Sequence, residues 1–166
     1  ALANADGFPP APAAVEPADG IVTDGLISDE FGEIELDDVF DIDDSMKERS
    51  SWTVIAADVS GITYLALAAT LSEGRNTVFA RTTVSSDAPA NRLMRFGYSD
   101  KARVFVNGQL IYAGDNTYRS RDYRYLGTIG LFDSVVLPLE RGENEIWVAV
   151  TEAFGGWGIQ AKIESD

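Results

Sequence analysis

Two runs rich in β-branched and aromatic residues, Arg103-Val104-Phe105-Val106 and Gln109-Leu110-Ile111-Tyr112, flank the dipeptide Asn107-Gly108. A two-residue type I′ turn needs positive φ at both central positions, and Asn-Gly tolerates that best. The segment predicts a tight β-hairpin, so the chain must supply further strands to complete a sheet. Ser51 to Ile55, Asn76 to Val84, Arg92 to Tyr98, Ser134 to Leu139 and Glu145 to Thr151 are such runs, and Trp157 to Ile163 is a closing one. Val78, Ala80, Thr82 and Val84 share one face of their run, and Phe79, Arg81 and Thr83 share the other. Met94, Phe96 and Tyr98 likewise alternate, as do Ile146, Val148 and Val150. Pro138 marks its strand for a sheet edge. Ile62 to Leu71 suits either a buried strand or a short helix. With about eight short strands and no long helical period, the expected fold is all-β, an antiparallel two-sheet β-sandwich of the jelly-roll kind.

Length agrees with one such domain, because 166 residues can bury about 70% of the unfolded surface without covalent staples. Residues 1–19 hold Pro9, Pro10, Pro12 and Pro17 among alanines, the composition of an extended tail or linker. The sandwich is therefore expected over residues 20–166. The opening Ala1-Leu2-Ala3 has neither a basic region nor an apolar run, so it is not an intact signal peptide, although such ends follow cleavage points. The Pro-Ala start suggests a piece of a longer protein or a mature secreted chain. No run of 18 apolar residues is present, so no membrane insertion is expected.

The absence of Cys and His excludes disulfides, thiol chemistry, Cys/His zinc sites and every His-based triad. The net charge of −14 is uneven. Residues 1–48 hold 14 acids against one base, Lys47, so the body beyond is close to neutral. Such a field repels nucleic acid and anionic lipid.

The order VFVNGQLIYAG, LPLERGENEIWVAV, GGWGIQAKI resembles the second half of galactose-binding-like jelly-roll domains. The matching positions are Asn107, Gly108, Leu137, Leu139, Gly142, Asn144, Ile146, Val148 and Val150, over about residues 100–164. The resemblance implies a carbohydrate-binding or accessory domain of secreted bacterial proteins, at a secreted, periplasmic or cell-surface location. It also implies a structural calcium ion, which many such domains hold.

Three groups of residues are candidates for chemistry. Tyr118 to Tyr125 carries three Tyr and three Arg within eight residues. Aromatic faces stack on sugar rings, and Arg forks hold carboxylates or sulfates. Tyr118, Tyr123 and Trp147 would stack on a carbohydrate, an anionic one included, while Arg119, Arg121 and Asp122 would hydrogen-bond. The competing reading docks this Arg segment on the acidic front end, within one chain or between neighbours, as a structural or assembly module. Trp147 lies opposite its strand's aliphatic face and is either covered by a loop or offered to a ligand. Asp37 to Asp44 holds five Asp; Asp41, Asp43 and Asp44 are the candidate calcium ligands, though the EF-hand spacing is absent. A small glycoside hydrolase is the last reading. Glu143, Glu145 and Glu152 are its carboxylates, with Glu152 facing away from Glu145 on a regular strand.

Overall fold

The computed structural model describes residues 20–117, 129–153 and 156–165. Ten strands form two antiparallel sheets: β1 Asp24–Ser28, β2 Trp52–Ala56, β3 Thr63–Tyr64, β4 Thr77–Ser86, β5 Ala90–Ser99, β6 Lys101–Val106, β7 Gln109–Asp115, β8 Asp133–Leu139, β9 Gly142–Thr151 and β10 Gly158–Ile163. One sheet runs β2-β1-β4-β9-β6-β7 and the other β3-β10-β5-β8. The expected sandwich is present, with two more strands than the alternation alone marks. One of these is β1, which reads Asp-Gly-Leu-Ile-Ser and has too few apolar residues to alternate clearly. The ambiguous Ile62 to Leu71 stretch divides: Thr63–Tyr64 pairs with β10, and Leu65–Leu67 forms a single 3₁₀ turn whose Leu65 is buried.

The Asn-Gly hairpin forms as expected. Asn107 has φ 48° and Gly108 has φ 87°, the two positive values a type I′ turn requires. The pairing shifts between Val104 and Phe105, so Ile111 is an extra residue on β7. A side chain on Gly108 would strike the Ile42 carbonyl at 2.7 Å, so only Gly permits the chain to cross there. Pro138 lies on β8, an edge strand, as its missing N–H predicts.

The core follows the alternation. Val78, Met94, Phe96, Tyr98, Val104, Leu137, Ile146, Val148, Val150, Trp157 and Ile159 meet between the sheets. A second apolar cluster lies on the outer face of the six-stranded sheet. There Phe79, Phe105, Trp147 and Ala149 are covered by Phe31, Leu36, Val39, Ile42 and Met46. The acidic front end is thus a folded cover. It contains a 3₁₀ turn at Glu33–Leu36 and a short helix, α1, at Asp44–Arg49. Phe31, Leu36, Val39, Ile42 and Met46 face the sheet, Ile34 and Phe40 are exposed, and its carboxylates face outward or meet body cations. Lys101 Nζ lies 2.7 Å from Glu33, and Arg103 Nη2 lies 3.5 Å from Asp37. Exposed pairs of this kind contribute less than about 1 kcal/mol each. Burying one Phe contributes about 2 kcal/mol, so the apolar contacts hold the cover down.

Asn144, fully buried, ties three turns together. Its Nδ2 donates to the carbonyls of Glu140, Gly142 and Val84. Its Oδ1 accepts from the Glu140 amide and from Asn107 Nδ2, both at 2.8 Å. Replacing Asn144 with Ala strands several of these buried groups. The expected loss is about 3 kcal/mol in urea denaturation, with the slope unchanged. Asn107→Ala, at an exposed turn, should lose clearly less, and equal losses would discount this network as a fold determinant.

Candidate functional site

The sequence-derived residues divide into two places. Tyr118, Arg119, Arg121, Asp122 and Tyr123 lie outside the described residues, in the connection between β7 and β8. The flanks of that connection are described, and both sit at one end of the sandwich. Asn116 donates its amide to the Asp100 carbonyl at 2.8 Å and its Nδ2 to Asp133 at 3.4 Å. Thr117 donates its amide to Asp115 Oδ1 at 2.8 Å. These described flanks belong to a braced rim formed by the end of β7, the start of β8 and the β5–β6 connection.

Beneath that rim lie two buried carboxylates that sequence reasoning did not bring together. Asp100 is 4% exposed. Its Oδ2 accepts from the Ala153 amide at 2.7 Å and its Oδ1 from the Ser99 hydroxyl at 2.9 Å. Glu152 is 8% exposed, and among the described residues its Oε2 has no hydrogen-bond partner. Its backbone is held by Asn76 on both sides, through Glu152 N–H to Asn76 O and Asn76 Nδ2 to Glu152 O. Burial raises the Glu152 carboxyl above its ordinary 4.5, and the negative charge of Asp100 raises it further; the Gly156 amide offsets part of this. No spacing rule links residue 100 to residue 152. Only the pairing of β6 with β9, which sets Lys101 against Thr151, makes them neighbours.

Trp147 is the sixth sequence-derived ligand residue, and here the stacking expectation needs correction. It is 3% exposed, so no ring face is open to a sugar. Of the two alternatives, the covered one holds. Trp52 meets it edge-on at 5.0 Å, and Phe79 does so at 5.1 Å. The Arg81 guanidinium lies 5.2 Å from the Trp52 ring and 5.6 Å from the Trp147 ring. Glu145 anchors that cation at 2.7 Å and takes Lys47 of α1 at the same distance. Burial opposes ionisation of Glu145, but Lys47 and Arg81 outweigh it and hold its carboxyl below 4.5. Odd-numbered residues of β4 and β9 share this outer face, so Arg81 opposite Trp147 follows once the two strands are paired.

Asp41, Asp43 and Asp44 do not converge on a cation. Asp43 caps α1, accepting from the Met46 amide at 3.2 Å and from the Ser45 hydroxyl. These bonds, the Ser45 one foremost, lower its carboxyl from 3.8. Asp41 pairs through its backbone with Gln109, and Asp44 is an exposed first-turn residue. Among the described residues no three acidic side chains are grouped to hold a metal ion. Of the hydrolase carboxylates, Glu145 and Glu152 lie seven residues apart, about 23 Å at 3.3 Å per residue and beyond the 5–10 Å that glycoside hydrolysis needs, while Glu145, on the face it shares with Glu143, is bound by Lys47 and Arg81 and has its carboxyl lowered rather than raised.

Glu152 makes the stability of this end depend on pH. Its folded-state carboxyl is raised, so its contribution is fully present below 4.5 and is lost as pH rises through the folded value. Above that, folding buries an unpaired carboxylate beside Asp100. Glu152→Gln removes the titration at nearly constant shape. The variant should gain on the parent as pH rises above 4.5 and level off once pH has passed the raised folded value, followed by thermal denaturation across pH. A stability difference that stays flat across these pH values would show that Glu152 is solvated.

No protein-family model and no curated protein matches the chain. Among solved structures, the β-glucosidase of Kluyveromyces marxianus is similar at 14% identity and a TM-score of 0.52, over 86% of this chain. The same enzyme in complex with glucose is similar at 15% identity and a TM-score of 0.51. The chain spans only about a sixth of that enzyme's length, 16%. At such identity the likeness shows a shared sandwich fold and no more. A family 35 carbohydrate-binding module from Clostridium thermocellum is similar at 18% identity and a TM-score of 0.40, over 55% of this chain and 72% of that one. That likeness is too distant to support an argument.

Proposed function

We propose that this domain is a non-catalytic carbohydrate-binding or accessory module of a secreted or cell-surface bacterial protein. The observation that carries the reading is the bracing of the described residues that lead into the Tyr/Arg-rich stretch. Its flanks, Asn116 and Thr117, are bonded to the Asp100 and Asp115 rim of a rigid sandwich. Binding groups on such connections are displayed by a scaffold that loses little entropy on contact. Tyr118 and Tyr123 would stack on the sugar, while Arg119, Arg121 and Asp122 would take its hydroxyl or acidic groups. Trp147 has no part in that contact.

The assembly reading through the acidic front end has less support. Glu33 and Asp37 already meet Lys101 and Arg103 of the same chain, and the apolar side of that segment is packed on the sheet. Calcium enters only as an expectation from the resemblance, and the binding test includes it as a variable.

A glycan array probed with the whole chain, with calcium and separately with EDTA, tests the proposal. The expected result is a defined glycan hit that the double substitution of Arg121 and Tyr123 with Ala reduces at least about tenfold, roughly 1.4 kcal/mol. Retained binding in that variant would remove the site from the Tyr/Arg segment. A clean negative in both buffers would remove carbohydrate binding itself. Loss of the hit in EDTA alone would place a metal in the site or beneath it.

A further inference from the structure

Two sheets have four edges, and three of them are protected against strand addition. β3 is only two residues long. β8 carries Pro138, which cannot donate to a new neighbour. The start of β7 is covered by the front segment, where Leu110 donates to the Phe40 carbonyl and Ile42 donates to the Gly108 carbonyl. The fourth edge is β2, with the sequence Trp52-Thr53-Val54-Ile55-Ala56. It has no charge, no proline and no bulge, and Val54 is 76% exposed. The described residues leave this edge bare, which natural sheet proteins rarely do.

The free hydrogen-bonding groups of this edge can be identified. β1 and β2 are antiparallel with Leu26 opposite Val54. Asp29 donates to the Ser51 carbonyl, and Ala57 donates to the Thr23 carbonyl. Antiparallel ladders alternate, so Thr53 and Ile55 also face β1. The N–H and C=O groups of Trp52, Val54 and Ala56 therefore point outward.

We propose that β2 is a self-association edge, at which two copies of this chain join antiparallel about a two-fold axis through Val54. Trp52 then opposes Ala56 of the second copy, and Val54 opposes Val54. Every outward N–H meets an outward C=O. The side chains fit one another, because the bulk of Trp52 falls against the small Ala56 on the outer face and Ile55 falls against Thr53 on the inner face. The contact is isologous and closes as a dimer, joining two six-stranded sheets into one. A heterologous strand would find nothing on this edge to select it except backbone pairing, whereas the segment complements itself. The overall charge of −14 opposes the approach of two copies, so added salt strengthens this association. An association built on acid–Arg contacts would weaken with salt.

Sedimentation velocity on the whole chain reads the proposal, from about 10 μM to about 1 mM in low and high salt. The weight-average mass should climb toward twice the monomer mass, at lower concentration in high salt. Val54→Pro removes an outward N–H and leaves the β1 ladder intact, so it should weaken association at least about tenfold, or 1.4 kcal/mol. Val54→Lys, at an exposed position, should do the same and serves if the proline variant loses its far-ultraviolet spectrum. The register has a separate readout. The chain has no Cys, so Val54→Cys supplies one thiol per copy, at the two-fold axis. Paired residues there stand about 5.5 Å apart, within disulfide reach. Val54→Cys should oxidise to a covalent dimer far faster than Val59→Cys, whose parent Val59 is 69% exposed just beyond the strand. A parent chain that stays monomeric throughout would overturn the proposal and leave the edge for a strand of another protein. Undiminished association in both Val54 variants, or equal cross-linking by both Cys variants, would also overturn it.

Discussion

Strand β9 is apolar on both faces, and much of the architecture answers that constraint. Ile146, Val148 and Val150 point between the sheets, while Trp147 and Ala149 point outward. An antiparallel sheet usually leaves its outer face to water. Here that face carries Phe79, Phe105 and Trp147, and water cannot be left against them without losing several kcal/mol of burial. The chain meets the need with residues 31 to 46, which cross the sheet before β2 begins. The sandwich is therefore three layers deep over the outer face of β4, β9 and β6.

The same cover explains the charge distribution. A segment that must be apolar on one side and soluble on the other can carry its acids outward at little cost. Where they come near the sheet they meet Lys101 and Arg103, and the cover's own Lys47 meets Glu145 of β9. These pairs orient the cover more than they stabilise it. Arg81 is held differently. Two indole rings and one carboxylate fix its guanidinium, so it works as packing as well as charge.

Polar groups sort by end. Asn144 satisfies the turns at one end, where every bond its amide can make is used. At the opposite end Glu152 keeps an oxygen that has no partner among the described residues, close to the Asp100 charge. A fold tolerates such a group at a cost of a few kcal/mol, and these groups gather where function draws on the surrounding connections. The Tyr/Arg segment is attached at this end.

The strands with clean alternation were legible one by one: β4, β5, β9, β10 and the Asn107-Gly108 hairpin follow from period, turn chemistry and the φ that Asn and Gly permit. Pro138 announced an edge by lacking a donor. Less was legible at the site. The position of Trp147 opposite Ile146 and Val148 said only that it left the main core, because alternation tells which face a side chain takes and nothing about what lies on that face. Asp43 looked like a cation ligand by composition and proved to be a helix cap, a distinction made by the backbone three residues on. The sequence alone determined the all-β class, the turns and the charge asymmetry, since these depend on local propensity and composition. Tertiary structure alone decided that the acidic segment is a cover, that Asp100 and Glu152 are neighbours and that β2 is the edge the described residues leave bare. Each of those depends on which strands pair across long stretches of chain, and no local interaction specifies that.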